Sequence, residues 1–339
     1  MQTFQYLTPS EKHNTITIPK KWYGKQMGVI IYPVGENEVL DLEFLKDEIQ
    51  NHVLALCKGR PRNYRNVKRL TQAGDYIATA FGELGYTVTR QSYTVKGKNY
   101  FNVIAELPGQ EVKPFIVVGG HYDVCGNTPG ADDNASAIAV MLALARTWKP
   151  LADEASVRLQ FVAYTLEEPP FFMTDDMGSR VHAKSLVESG ATPECVIVLD
   201  MLGYYNYDEN TQNYPGGFLK MLYPYPSVGN FLLAVTRSGD KKNAKLFNDF
   251  ARDNSNLPVE YFAQPFFVSK ILDCLNRSDY VNFSDHYSYW LNGFSAFMLT
   301  DTAEFRNPHY HELSDTPDTL DYARMAETTQ LLARFLFNQ

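Results

Sequence analysis

The stretch "HYDVCGNTPGADDN", residues 121 to 134, sets one His and three Asp between an apolar run and an Ala-rich helical pattern. Carboxylates crowded into one loop repel one another, so their pKa values rise and stability falls unless a cation neutralises them. Further along, Glu167 and Glu168 follow the apolar run "VRLQFVAYTL", and Asp200 ends "CVIVLD". Imidazole and carboxylate together suit zinc. A pair of metal ions about 3.5–4 Å apart needs one carboxylate shared between them and terminal ligands on either side. Asp132 or Asp133 is placed to bridge, and His121, Glu167 or Glu168, and Asp200 are placed to be terminal. The segment "FRNPHYHELSDTPDTLDY" supplies a further nitrogen through His309 or His311.

A single His or Asp at a strand end is usually a cap or turn former, and an adjacent Glu pair is usually a solvated surface pair. Convergence of several such residues on one rim changes that reading. The Glu pair moreover lies between an apolar strand and "PP", which is no exposed helix face. His52, in the first helical stretch, and His182, in "GSRVHAKSL", read as structural, whereas His286 in "SDHYSYW" is either a loop residue or a group behind a ligand. No phosphate loop, GxSxG elbow or GxGxxG competes, because "GGHYD" has neither the lysine nor the glycine spacing these require.

The elements that must position these groups follow from hydrophobic period. Residues 41 to 60 put Leu45, Ile49, Val53 and Leu56 on one helical face, and "LTQAGDYIATAFGELG" puts Ile77, Phe81 and Leu84 on another. The period then shortens. "YTVTRQSYTV" alternates, "NVIAEL", "PFIVVGGHYD", "VRLQFVAYT" and "CVIVLDML" are short strand-like runs, and "AIAVMLALARTW" and "GSRVHAKSLVESG" are helical. Strands alternating with helices, several of them apolar throughout, predict a three-layer α/β/α sandwich around a mixed, mostly parallel sheet. In such sheets ligands bind beyond the carboxyl ends of the strands, which is where these residues fall.

The 339 residues, 45% hydrophobic and 14% aromatic, are enough to bury a large core. No Pro/Gly/Ser-rich linker divides the chain, so residues 41–339 are expected to form one catalytic domain behind an N-terminal extension, 1–40. A net charge of −8 argues against a nucleic-acid partner. Cys57, Cys125, Cys195 and Cys274 lack CxxC spacing and read as buried thiols. The first residues carry no basic start with an apolar core, and no run of about 18 apolar residues occurs. A cytoplasmic protein with no membrane partner is therefore expected, or a secreted or periplasmic one if a leader was removed. The sequence carries no signal for an oligomeric state.

The motifs "GGHYD", "GADDNAS", "EEPPFF", "VLDMLGYY", "FSDHYSYWLNGFSAFMLTDT" and "YHELSDTPDTLDY", in that order over about residues 45 to 335, resemble the zinc metallopeptidase family of bacterial leucyl aminopeptidases. That family also contains glutaminyl cyclases and glutamate carboxypeptidases. The resemblance implies two zinc ions per chain, with His121 and Asp200 on one, Glu168 and His311 on the other, and Asp133 bridging. It makes Glu167 the catalytic base and Asp123 the carboxylate that orients His121, and it places Ser284 and Asp285 behind the ligands. Tyr310 falls where some members have a transition-state donor, and the Asp133–Asn134 peptide where relatives have a cis bond. The chain departs from the pattern at Ala137, usually glycine, and in the longer "PPFFMTDDMGS"; neither change touches a ligand, and both bear on the pocket wall.

The function so implied is hydrolysis of a peptide substrate by metal-activated water, with Glu167 as general base. Two alternatives are a glutaminyl-cyclase-like acyltransferase, which works with one zinc, and a metal-free binding or scaffold relative, which would have lost ligands. The segments expected to wall the site, "EEPPFFMTDDMGS", "YFAQPFFVSKILDC" and "VNFSDHYSYW", hold Lys270 as their one cation. That favours an aminopeptidase preferring an apolar first residue over capture of a terminal carboxylate, which needs Arg or Lys. Arg180 or Arg306, pointed into the pocket, would reverse the preference.

Overall fold

A computed structural model describes residues 41–214, 226–264 and 281–339. The N-terminal extension, Lys270 and Cys274 lie outside the described residues. Helix α1 (Leu42–Cys57) starts at Asp41, whose carboxylate accepts the Glu43 N–H at 3.2 Å, and its buried stripe is Leu45, Ile49, Val53 and Leu56. Helix α2 (Val67–Glu83) buries Ile77 and Phe81 and ends before Gly85, whose φ of +87° only glycine adopts readily.

Strands β1 (Thr87–Val95) and β2 (Lys98–Glu106) form a hairpin turned by Lys96 and Gly97, both at positive φ, the geometry that matches the twist of paired strands. There follow β3 (Phe115–His121), α3 (Ala137–Trp148), β4 (Arg158–Tyr164), α4 (Gly178–Ser189) and β5 (Cys195–Leu199). Then come β6 (Leu232–Arg237), α5 (Lys241–Asn254), β7 (Val259–Gln264), α6 (His286–Leu291), β8 (Ala296–Thr300) and α7 (Tyr322–Phe337).

Among the described residues the strands make one mixed sheet in the order β1-β2-β4-β3-β5-β8-β6-β7. Its centre, β4-β3-β5-β8, is parallel, and antiparallel pairs join it to β2 and to β6. A parallel centre has both faces covered, so its strands are apolar throughout. Along β3, Ile116 and Val118 enter the core beneath α1, α3 and α7, while Phe115 and Val117 enter a second core beneath α4 and α6. This is the three-layer α/β/α arrangement expected, and it brings the carboxyl ends of four parallel strands to one rim.

Candidate metal centre

Each central strand delivers chemistry at that rim. His121 is the last residue of β3, and Asp200 follows β5 directly. After β4 the chain turns at Leu166, φ +61°, and presents Glu167 and Glu168, both buried. Asp133 sits in the wide turn Ala131–Ser136 that opens α3, and its peptide to Asn134 is cis, as the resemblance implies. The loop after β8 returns Tyr310 and His311 to the same point, with His311 at φ +59°.

Asp133 stands between the two imidazoles. Its Oδ1 is 3.3 Å from His121 Nε2 and its Oδ2 is 3.1 Å from His311 Nε2. On the His121 side, Asp200 Oδ1 lies 3.7 Å and Glu167 Oε2 3.9 Å from Nε2. Glu168 Oε2 is 3.4 Å from Nε2 on the His311 side. Two donor groups thus share one carboxylate, the arrangement a metal pair requires. Glu168, 3% exposed, keeps Oε1 without a hydrogen-bond partner among the described residues, as a ligand oxygen does when aimed at a cation.

The two residues left open by spacing are separated by their surroundings. Asp132 turns away from the rim, accepting the Gly203 N–H at 2.8 Å and the Asn307 amide at 2.6 Å. His309 also turns outward, with Nδ1 2.9 Å from Ser314 Oγ and its ring edge-on to Tyr204. His52 and His182 are structural, hydrogen-bonded to Tyr76 and Tyr289 at 2.7 Å each, and His286 bonds the Val281 carbonyl.

Asp123 behaves differently from the simple orienting carboxylate that was expected. His121 Nδ1 donates to the Asp123 carbonyl at 3.3 Å, and the carboxylate lies farther off, at 3.7 Å. Its two oxygens are taken instead by the N–H groups of Glu167 and Glu168, at 3.1 and 3.2 Å. One residue therefore fixes both the imidazole and the Glu pair, and turns His121 Nε2 toward Asp133 and Asp200. Ser284 and Asp285 are buried, but neither side chain makes a hydrogen bond to a ligand among the described residues. Burial pushes the Asp285 carboxyl up to about 7 despite the nearby His121.

Burial raises Glu167 well above the carboxylate range, and the charges of Glu168, Asp285 and Asp200 add to it against the pull of His121. Burial likewise pushes Glu168 up to about 8. Asp133 goes the other way: burial would raise it, yet hydrogen bonds from His121 and His311 hold it below the usual range. Burial would lower His121 and His311, yet the carboxylates in turn raise both above the usual imidazole range, so the cluster recruits positive charge.

Spacing did not reveal what holds the loop. Arg62, 1% exposed, donates to the carbonyls of Tyr122 at 2.8 Å, Pro129 at 2.7 Å and Gly130 at 2.6 Å. Asp315 accepts the N–H groups of Asp132 at 2.8 Å and Asp133 at 3.1 Å. The Asn134 amide links the loop to β5 through Leu199 O and Met201 N, both at 3.0 Å. Gly130 is required on two counts, since its φ is +65° and a Cβ there would lie 2.5 Å from Asp133 O. The cysteines also differ from expectation: Cys195 is buried, but Cys57 and Cys125 are only half-buried.

The site lines part of a cavity of about 340 Å³. Phe172, Leu233, Val235, Phe262, Phe283 and Met298 line its apolar part, and Glu304 and Tyr310 stand near the acids. Tyr310 stacks on His311 with ring centres 3.8 Å apart. No Lys or Arg is among the described lining residues. Arg306 is turned into the protein, donating to Gln212 Oε1 and Phe231 O at 2.8 Å, and Arg180 lies over the Tyr287 ring.

Comparison with known proteins agrees with this architecture. Residues 102–336 match the sequence pattern of peptidase family M28. The chain is 36% identical over 286 residues to YfbL of Escherichia coli K12, an uncharacterised protein, spanning 82% of this chain and 83% of that one. Among solved structures it resembles the LapA aminopeptidase of Legionella pneumophila, with a TM-score of 0.67 and 17% identity over 89% of this chain and 77% of that one. It also resembles a glutaminyl cyclase of Fimbriiglobus ruber, with a TM-score of 0.62 and 18% identity over 90% of this chain and 98% of that one. At such identities the likeness to these structures speaks to fold.

Proposed function

This chain belongs to peptidase family M28, and from that premise we propose that it is a dizinc aminopeptidase that releases apolar N-terminal residues. The observation that carries the proposal is Asp133 set between His121 and His311, 3.3 and 3.1 Å away, in the wall of a largely apolar cavity. His121, Asp133 and Asp200 would hold one ion, and Asp133, Glu168 and His311 the other. Bound there, zinc supplies Lewis acidity and brings the pKa of water toward neutrality.

The protein's own groups do the rest. Glu167 accepts a proton from the attacking water and returns it to the departing amine. Its position is set through its N–H on Asp123. Tyr310, kept protonated because burial raises its pKa, donates toward the carbonyl oxygen as charge gathers there. A substrate ammonium meets an acidic end, and an apolar first side chain lies against Phe172, Leu233 and Phe283. A terminal carboxylate would need an Arg or Lys, which the described lining does not offer.

The test compares leucine nitroanilide, its N-acetylated form, a peptide blocked at its carboxyl end, and a peptide beginning with Gln. Cleavage of the first and third, with loss of cleavage on N-acetylation, is expected. Cleavage that survives N-acetylation but not carboxyl blocking would overturn the assignment, as would cyclisation of the N-terminal Gln without peptide cleavage.

A further inference from the structure

Cys125 sits four residues beyond His121, on the loop that Arg62 holds. Its own carbonyl accepts the Thr128 N–H at 3.1 Å and the Thr128 hydroxyl at 2.8 Å, and the Asn63 side chain donates to the next carbonyl, of Gly126. This pinned turn places the sulfur at the rim. Cys125 Sγ, a Glu168 carboxylate oxygen and a His311 ring nitrogen all lie within 4.8 Å of one another. No other cysteine among the described residues belongs to such a group. The unpartnered, buried Oε1 of Glu168 is a second, independent sign that this corner is built to face a cation.

We infer that Cys125 is a thiolate ligand of the ion held by Glu168, His311 and Asp133, so that the two metal positions are chemically unequal. The inference rests on the dizinc reading and goes beyond it. With Cys125 the second position would have four protein donors, the number a structural zinc takes, whereas His121, Asp133 and Asp200 would offer the first position three. On binding, a sulfur–metal bond forms and the thiol proton passes to solvent. A thiolate also biases this position toward zinc, cobalt and cadmium and away from magnesium, manganese and calcium.

The experiment loads the metal-free full chain with cadmium or cobalt and follows the near-ultraviolet thiolate-to-metal charge-transfer band while counting bound ions. One thiolate per chain is expected in the band, absent in Cys125→Ser and kept in Cys57→Ser and Glu167→Gln. Cys125→Ser is also expected to weaken the second ion by at least the 10–100-fold that losing an outer partner costs. Should that variant fail to fold, iodoacetamide mapping of the wild-type chain decides the matter, since zinc should shield the half-buried Cys125 from alkylation. Two ions bound with no band, a band that survives Cys125→Ser, or alkylation unchanged by zinc overturns the inference and leaves the dizinc reading standing. Fewer than two ions under saturating zinc overturns both.

Discussion

At the scale of single residues, Glu167 and Glu168 are chain neighbours with different surroundings. Glu168 Oε2 is 3.4 Å from His311, whereas Glu167 Oε2 is 3.9 Å from His121 and its carboxyl is raised by burial and by three neighbouring acids. Glu167→Gln is therefore expected to keep both ions and lose turnover by about 10²–10⁴-fold, the usual worth of a general base. Metal analysis beside turnover checks this; loss of an ion together with activity would mean the two roles are exchanged. Residue type and strand-end position made His121, Asp200 and the Glu pair legible in the sequence. They did not separate Asp132 from Asp133 or His309 from His311, because in an irregular loop with His311 at φ +59° spacing no longer tells direction. Cys125 was missed for the same reason, as only the turn pinned by Thr128 brings its sulfur to the rim.

At the scale of elements, the first five strands and α1 to α4 lie close to where hydrophobic period places them, since α1 and α2 bury one apolar stripe each and β3, β4 and β5 are buried along nearly their whole length. Strand β7 is half-buried along most of its length at the sheet edge, so it carries little period to read. The loop between β3 and α3 is the element on which the site depends, and its hub is Arg62, which no periodicity announces. Arg62→Met removes donors from the buried carbonyls of Tyr122, Pro129 and Gly130 while keeping the apolar stem. At roughly 1–3 kcal/mol for each group left unpaired, a loss of about 3 kcal/mol or more in urea unfolding is expected, together with weaker zinc binding. A loss under about 1 kcal/mol with metal affinity unchanged would show that Asp315 and Asn134 hold the loop unaided.

At the scale of the whole molecule, the parallel centre of the sheet explains why distant segments meet, and the reversed strands flanking it were beyond sequence because short runs do not state their direction. The same layering seals polar groups away from the rim. In the core beneath α4 and α6, burial lowers His182 to about 3, and burial likewise lowers His286 to about 4. Both are neutral in the folded chain, while the unfolded chain protonates them near 6.5. Between those values the unfolded state binds more protons, so stability present above pH 6.5 is lost as pH falls toward 4. Each imidazole should account for about 2 kcal/mol between pH 7 and pH 5, at 1.36 kcal/mol per unit. The buried carboxyls, raised by burial, slope the opposite way, so the informative quantity is a difference between chains that both carry them. Urea unfolding of metal-free wild type and His182→Gln at the two pH values supplies it. The wild type should lose about 2 kcal/mol more than the variant on acidification, and an equal or smaller loss would mean that His182 is already charged in the fold, with its bond to Tyr289 stabilising the cation.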